Sequence, residues 1–429
     1  GSSDVYKRQT FNYRYYTNED DYIDYQLRFD QYISKSIAYS LEEVGEVIQF
    51  AEEQQTKGHY VALYWTYESA PFFNNQLETY HLIEKEVYAA AYAFNQPLNS
   101  DNNKDNIQYH SVHHFQFQES DEQMRRKIIK IQEAITEGDT YQVNYTTRLS
   151  SKVHYPISML YTYLTHNNNG GYTALLDTEE VKVASISPEL FFQKGTFNDK
   201  ANVIVSKPMK GTMPRGKTSV EDQLNYEKLM YSHKDRAENV MIVDLLRNDM
   251  SRISKTGTIE VYKLFFIETY QTVYQMTSMV TGQLEDAISL HSILTAMFPC
   301  GSITGAPKQS TMTYIKHLET SPRYIYCGTI GLLLPDDKMI FNIPIRTVEY
   351  RNNMALYGVG AGITIDSVPL NEIQEFRDKT KILEELWLKL FETMQLNHGH
   401  IPRLNYHTRR LCHSCSQLGF QFSENAWYS

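Results

Sequence analysis

Met124, Ile128, Ile131 and Ile135 stand three or four residues apart among charged residues and predict an amphipathic helix that Gly138 closes. Similar spacing marks residues 41–50 as helical. Residues 59–65 form a short apolar run, His-Tyr-Val-Ala-Leu-Tyr-Trp, that reads as a strand. Tyr141-Gln142-Val143-Asn144 reads as another, directly after the first helix. Residues 181–205 alternate strand-like runs with turns, 220–248 read as helices, and 258–280 as strands. A helix is expected over 284–297, and Pro307, after Gly305, suits the first position of the next. Strands return at 324–334, 339–350 and 354–359. The last long pattern begins near Pro369 and carries Ile373, Phe376, Ile382, Leu386 and Leu390 along one helix. Strands in series with helices set apart make the chain α+β, not a regular β-α repeat. Asn and Asp crowd residues 99–105, the best candidate linker, and no internal repeat interrupts the pattern.

At 429 residues the chain can bury a large core and hold more than one unit. No apolar run is long enough to span a bilayer, and the opening Gly1-Ser2-Ser3-Asp4 lacks a signal-peptide core. The formal net charge of −10 argues against nucleic acid or an anionic membrane as partner. Cys300, Cys327, Cys412 and Cys415 are too few for a disulfide framework, so a reducing cytoplasm is expected. His407 near Cys412-His413-Ser414-Cys415 invites a zinc reading. No second cysteine pair exists, and Leu411, Cys415 and Leu418 have helical spacing, so a helix face is preferred.

Candidate chemistry begins at Ser206-Lys207-Pro208-Met209-Lys210-Gly211-Thr212. Pro208 fixes φ and removes a donor, Gly211 opens backbone angles closed to other residues, and Lys210 sits between them. A nucleophilic lysine must be desolvated and aimed, and such a frame can do both. Alone, the block reads more readily as an exposed turn lysine. Three further blocks lie downstream: Glu238-Asn239-Val240-Met241-Ile242-Val243-Asp244-Leu245-Leu246-Arg247-Asn248-Asp249, then Phe298-Pro299-Cys300-Gly301-Ser302-Ile303-Thr304-Gly305-Ala306-Pro307-Lys308, then Gly358-Val359-Gly360-Ala361-Gly362-Ile363-Thr364-Ile365-Asp366-Ser367 with Glu372 and Glu375 beyond. In order and spacing these resemble the chorismate-binding enzyme family, which includes anthranilate, aminodeoxychorismate, isochorismate and salicylate synthases. The resemblance covers about residues 60–387. Lys210 looks like the lysine of the Pro-Ile-Lys-Gly-Thr motif in the aminodeoxychorismate synthase component I branch, where anthranilate synthases usually carry alanine. Tyr67-Glu68-Ser69-Ala70-Pro71 resembles a block near the start of that branch.

The resemblance implies a four-layer α/β/β/α sandwich, two packed antiparallel-rich sheets with helices outside. Residues 1–110 are then its N-terminal part and 111–388 its chorismate-binding catalytic region. It implies amination of chorismate at C4 for 4-aminobenzoate and folate synthesis. Ammonia is expected from a separate glutamine amidotransferase, since no Gly-x-Cys-x-Gly block occurs here. An anthranilate synthase component I, which Lys210 argues against, and a non-catalytic binding remnant remain the alternatives.

Such an amination needs an acid for the leaving hydroxyl, a nucleophile, and neutralisation of a carboxylate. Glu189, in Ser187-Pro188-Glu189-Leu190-Phe191-Phe192, precedes an apolar aromatic run whose desolvation would keep it protonated. The family match makes it the general acid; otherwise it is a glutamate at a strand edge. Lys210 becomes the nucleophile, attacking ring C2 as hydroxyl leaves C4, before ammonia enters at C4 and expels the lysine. Its alternative is an anion-binding charge. Asp235 and Glu238, and again Glu372 and Glu375, lie three apart, which puts each pair on one helix face. Two acidic faces in a protein that binds a dianion call for a bridging cation, and Mg2+ takes such oxygen ligands. Family carry-over assigns Mg2+ to Glu238 and Glu375 with Glu372 in support, leaving Asp235 out.

Arg346, expected in a strand, suits a bidentate grip on a substrate carboxylate. Gly360, Ala361 and Gly362 are expected as a loop whose backbone N–H groups reach the other carboxylate. Thr304 is expected to line the ring pocket and Lys308 to tie down its loop. Gln142 stands where the isochorismate and salicylate branches carry a base lysine that activates water; glutamine cannot do so, which favours amination. Cys300 stands where a glycine is usual, and His291 reads as an ordinary helix residue. Residues 389–429, with His398-Gly399-His400-Ile401-Pro402-Arg403-Leu404 and Arg410, resemble the incomplete start of a class IV aminotransferase-like domain of the aminodeoxychorismate lyase kind. No lysine for pyridoxal phosphate follows, so no lyase activity is expected.

Overall fold

A computed structural model describes residues 8–99, 114–167, 170–384, 401–402 and 404–417. In chain order the strands are β1 Gln9–Tyr16, β2 Tyr22–Phe29, β3 Ser34–Ala38, β4 Tyr60–Trp65, β5 Ala89–Phe94, β6 Gln116–Phe117, β7 Gln142–Lys152, β8 Tyr172–Asp177, β9 Lys182–Ser187, β10 Leu190–Phe197, β11 Lys200–Lys207, β12 Met209–Pro214, β13 Glu260–Thr269, β14 Val273–Gln283, β15 Gly305–Ala306, β16 Thr329–Leu333, β17 Met339–Asn342, β18 Thr347–Arg351 and β19 Met354–Ile363. The helices are α1 Val44–Thr56, α2 Ala70–Phe73, α3 Asp121–Thr136, α4 Ile157–Asn167, α5 Ser219–Met230, α6 His233–Ser251, α7 Leu290–Met297, α8 Lys308–Leu318, α9 Pro369–Lys379, α10 Lys381–Glu384 and α11 Leu404–Gln417.

Among the described residues the strands form two antiparallel sheets. One runs β15-β7-β19-β18-β9-β8-β1-β2, with β6 also on β7; the other runs β12-β14-β11-β10-β17-β16-β4-β5-β3, with β13 also on β14. β4 shows why its sequence is apolar throughout. Ala62 and Tyr64 face the other sheet, in a core shared with Phe11, Tyr13, Leu176 and Val183. Val61, Leu63 and Trp65 face the opposite way, into a core with Val44, Val47 and Ala51 of α1. A strand buried on both faces loses the polar half of its alternation. α3 covers the other sheet: Met124, Ile128 and Ile131 share a core with Val143, Tyr145, Val359 and Ile363. Its start is fixed by a capping box, Gln123 N–H donating to Ser120 Oγ at 3.2 Å and Ser120 N–H to Gln123 Oε1 at 2.8 Å. The result is the expected four-layer sandwich.

Several boundaries differ from expectation. α7 begins at Leu290, because Leu284 pairs in a bridge with Ser254 and Ser289 supplies the cap. Pro307 is the N-cap of α8, one residue before the helix. The stretch 339–350 is two strands, β17 in one sheet and β18 in the other. Its crossing removes Arg346 from any strand; this residue has φ of 49° in the link, after Pro344, which has no N–H to give a ladder. Gly360, Ala361 and Gly362 lie inside β19, paired with Thr146, Tyr145 and Asn144 of β7, and so form no loop. The last helix is interrupted at Thr380, and Leu386 and Leu390 lie outside the described residues, as does the proposed linker beyond Asn99. No helix among the described residues is long and apolar enough to cross a membrane.

Candidate active site

Lys210 sits on a β-bulge. Met209 pairs with Thr277 and Thr212 with Gln275, so Lys210 and Gly211 oppose the single residue Met276. A bulge bends its strand and redirects a side chain, and bulges concentrate beside active sites. Gly211 has φ of 103°, and a Cβ there would lie 2.9 Å from the Asp235 carboxyl carbon, so only glycine fits. The redirected amine donates to the Ser302 carbonyl oxygen at 3.1 Å, and the Ser302 hydroxyl donates to Glu189 Oε1 at 3.4 Å. Lys210, the 300–304 loop and Glu189 therefore meet at one place.

Glu189 ends the turn between β9 and β10 and is 5% exposed. Burial pushes its carboxyl up to about 7, against the opposing pull of the Lys210 charge, the Met209 backbone and Ser302. A carboxyl so placed carries a proton near neutral pH and can give it to a leaving oxygen.

Asn239 was not assigned a role by the sequence. It is fully buried on α6, its Nδ2 donates to the Lys210 carbonyl at 3.1 Å, and its Oδ1 accepts from Ser278 Oγ at 2.7 Å. Asparagine is a poor choice for a helix interior, and that mismatch beside Glu238 was the available signal. Asn239→Ala is expected to lower kcat about a hundredfold through misplacement of the amine, with KM little changed. Steady-state kinetics with circular dichroism of the variant check this. Asp249 is the second omission: its carboxylate lies 3.5 Å from Lys308 Nζ, which also donates to the Met297 carbonyl at 3.4 Å. This joins the end of α6 to the loop that Lys308 was expected to fasten. Thr304 is fully buried, and its hydroxyl donates to the Cys300 carbonyl at 3.0 Å, which braces its own loop.

Gln142 opens β7, and its Oε1 is buried with no hydrogen-bond partner among the described residues. Its side chain lies where a Cβ of Gly362 would be. The glycines of β19 thus admit a neighbouring side chain at close range. The Gly360 carbonyl accepts from Lys379 Nζ at 2.5 Å, so it points away from β7. Alternation along the strand turns the Gly362 backbone to the same side. Arg346 is half-buried in the crossover, its carbonyl accepts from Ile186 N–H at 3.0 Å, and its charge lowers the Tyr357 phenol that burial raises.

Glu238 on α6 and Glu372 and Glu375 on α9 act on one another electrostatically. Burial raises the Glu238 carboxyl; Lys210 and Lys234 oppose this, and Asp235 and Glu375 add to it. Burial also raises Glu372, with Glu375 adding its repulsion. Glu375 pairs with Lys379 at 2.9 Å and Glu372 with Lys234 at 3.7 Å. Among the described residues no three acidic, histidine or cysteine side chains converge as a ready metal shell. The donor set nonetheless fits Mg2+, a hard cation that keeps water and substrate oxygens around one or two carboxylates. Mutually repelling, partly buried carboxylates are also what a cation would relieve.

The description chorismate binding enzyme matches residues 7–385. Aminodeoxychorismate synthase component 1 of Bacillus subtilis is 39% identical over 57% of this chain and 51% of its own length. Anthranilate synthase component 1 3 of Haloarcula marismortui is 35% identical over 60% of this chain and 50% of its own. The chain spans about half the length of these curated relatives. The crystal structure of anthranilate synthase component I from Streptococcus pneumoniae superposes with a TM-score of 0.69 at 21% identity, covering 89% of this chain and 93% of that one.

Proposed function

Within the chorismate-binding enzyme family, to which this chain belongs, we propose that it aminates chorismate at C4 to give 4-amino-4-deoxychorismate. The observation that carries this is Lys210 on its bulge, bonded to Ser302 beside the buried Glu189, whose carboxyl burial pushes up to about 7. Glu189 gives its proton to the departing C4 hydroxyl while the Lys210 amine, in its neutral form, bonds to C2 and both ring double bonds shift, C1=C2 to C1=C6 and C5=C6 to C4=C5. Ammonia then bonds to C4, both double bonds shift back, and the amine leaves C2 with its electron pair. Two displacements restore the configuration at C4. Glu238 and Glu375, with Glu372, would hold Mg2+, which when bound neutralises a substrate carboxylate. Arg346 and the outward backbone of Gly360 and Gly362 receive the other. The ammonia comes from a glutamine amidotransferase partner, as the name component 1 implies for its relatives. A cytoplasmic setting agrees with Cys300 and Cys327 as buried free thiols.

The second reading, anthranilate formation, draws on relatives such as the Haloarcula protein. Incubation with chorismate, Mg2+ and an ammonium salt, followed by mass spectrometry, separates the two. Aminodeoxychorismate supports the proposal; anthranilate with pyruvate supports the alternative; unchanged chorismate overturns both. Gln142 adds a specific expectation. Its unpartnered carbonyl oxygen accepts hydrogen bonds but takes no proton. Gln142→Lys is expected to cut amination at least about tenfold and to yield a hydrated product, since an amine there can activate water. The same incubation, with products separated by chromatography before mass spectrometry, measures both.

A further inference from the structure

Lys234 breaks a local rule. The first turn of α6 is its positive end, where acidic residues are favoured, yet it carries Lys234 and Arg236 with Asp235 between them. Such a conflict in an otherwise consistent element calls for a compensating interaction. Lys234 has one in the acidic cleft. Its ammonium lies 3.7 Å from Glu372 Oε1 on α9, a carboxylate only 5% exposed. It stands four residues before Glu238 on α6, on the same face. One ammonium thus pairs directly with Glu372 and stands on the helix face that carries Glu238, two of the carboxylates assigned above to Mg2+.

Resting on that metal assignment, we propose that Lys234 is the built-in counter-ion of the cleft: it holds α6 and α9 together before metal enters, and the metal must displace it. Two consequences separate this from a surface ion pair. Lys234 opposes divalent cations electrostatically even while the acidic residues attract them. It is also 56% exposed, so it can swing into solvent without unfolding anything. Glu372 is then never left without a positive partner, and metal affinity in the absence of substrate is held down.

The test is titration of the full, metal-free chain with Mn2+ alone, reading free Mn2+ by electron paramagnetic resonance. Lys234→Gln is expected to bind Mn2+ about tenfold more tightly than the unaltered chain, and Lys234→Arg about equally. Equal affinity in Lys234→Gln, with binding lost in Glu375→Gln, overturns the counter-ion role alone. Undiminished binding in Glu375→Gln overturns the metal assignment and the counter-ion role together. Thermal unfolding without metal gives a second reading: Glu372, left unpaired, should lower the Tm of Lys234→Gln, and added Mn2+ should raise it above that of the unaltered chain.

Discussion

Lys210→Ala should abolish aminodeoxychorismate formation to below about one thousandth of the unaltered rate, about 4 kcal/mol of transition-state free energy. The bulge is what makes so large a loss reasonable. Its two-against-one register, the φ of 103° at Gly211 and the buried Asn239 hydrogen bond all act on this one residue. Removing the side chain leaves that frame intact, so stability should change little while the chemistry stops. Lys210→Arg should fail similarly, because a guanidinium keeps the charge but is not a nucleophile at any accessible pH. A lysine that merely attracted the dianion would behave otherwise. Arginine would then restore activity, with the defect confined to KM. Rates with saturating ammonium and chorismate decide between these patterns.

Glu189→Gln should lower kcat by about a thousandfold and also make the protein more stable in alkaline solution. The sign follows from burial. The folded carboxyl sits near 7, above its ordinary 4.5, so the folded state holds a proton that the unfolded state has already lost between those values. Stability contributed by the neutral carboxyl is complete below about pH 4.5 and falls away as pH rises through 7. Glutamine removes that penalty. The variant should therefore exceed the unaltered chain by about 3 kcal/mol at pH 8, with the gap closing toward pH 5. Urea unfolding at the two pH values measures it. In the unaltered enzyme kcat/KM should fall about tenfold per pH unit above 7, as the acid is lost; a flat profile to pH 9 would remove Glu189 from that role.

The sequence carried the periodic elements well because each buries a face. α3 buries Met124, Ile128, Ile131 and Ala134 at helical spacing, and β4 is apolar on both sides because two layers cover it. What local pattern could not show is partnership between distant segments. Residues 339–350 read as one strand, and only the sheet order reveals that β17 and β18 belong to different layers, with Arg346 in the crossing. The glycines at 360 and 362 resembled a loop because glycine weakens strands. Their actual use, letting Gln142 and Thr146 come close, needs β7 alongside. At Lys210 the frame of Pro208 and Gly211 was visible, but a bulge exists only against a partner strand, here β14. Glu68, in a block noted only by resemblance, is buried and accepts from Tyr324 N–H at 2.7 Å, a contact across 256 residues.

Whether Lys210 bonds to the substrate is read by intact-protein and peptide mass spectrometry after mixing the chain with chorismate and Mg2+ but no ammonia. An adduct heavier by chorismate less one water is expected, mapped to Lys210 and discharged when ammonium is added. An adduct that persists in Lys210→Ala, or maps to another residue, would contradict bonding at Lys210.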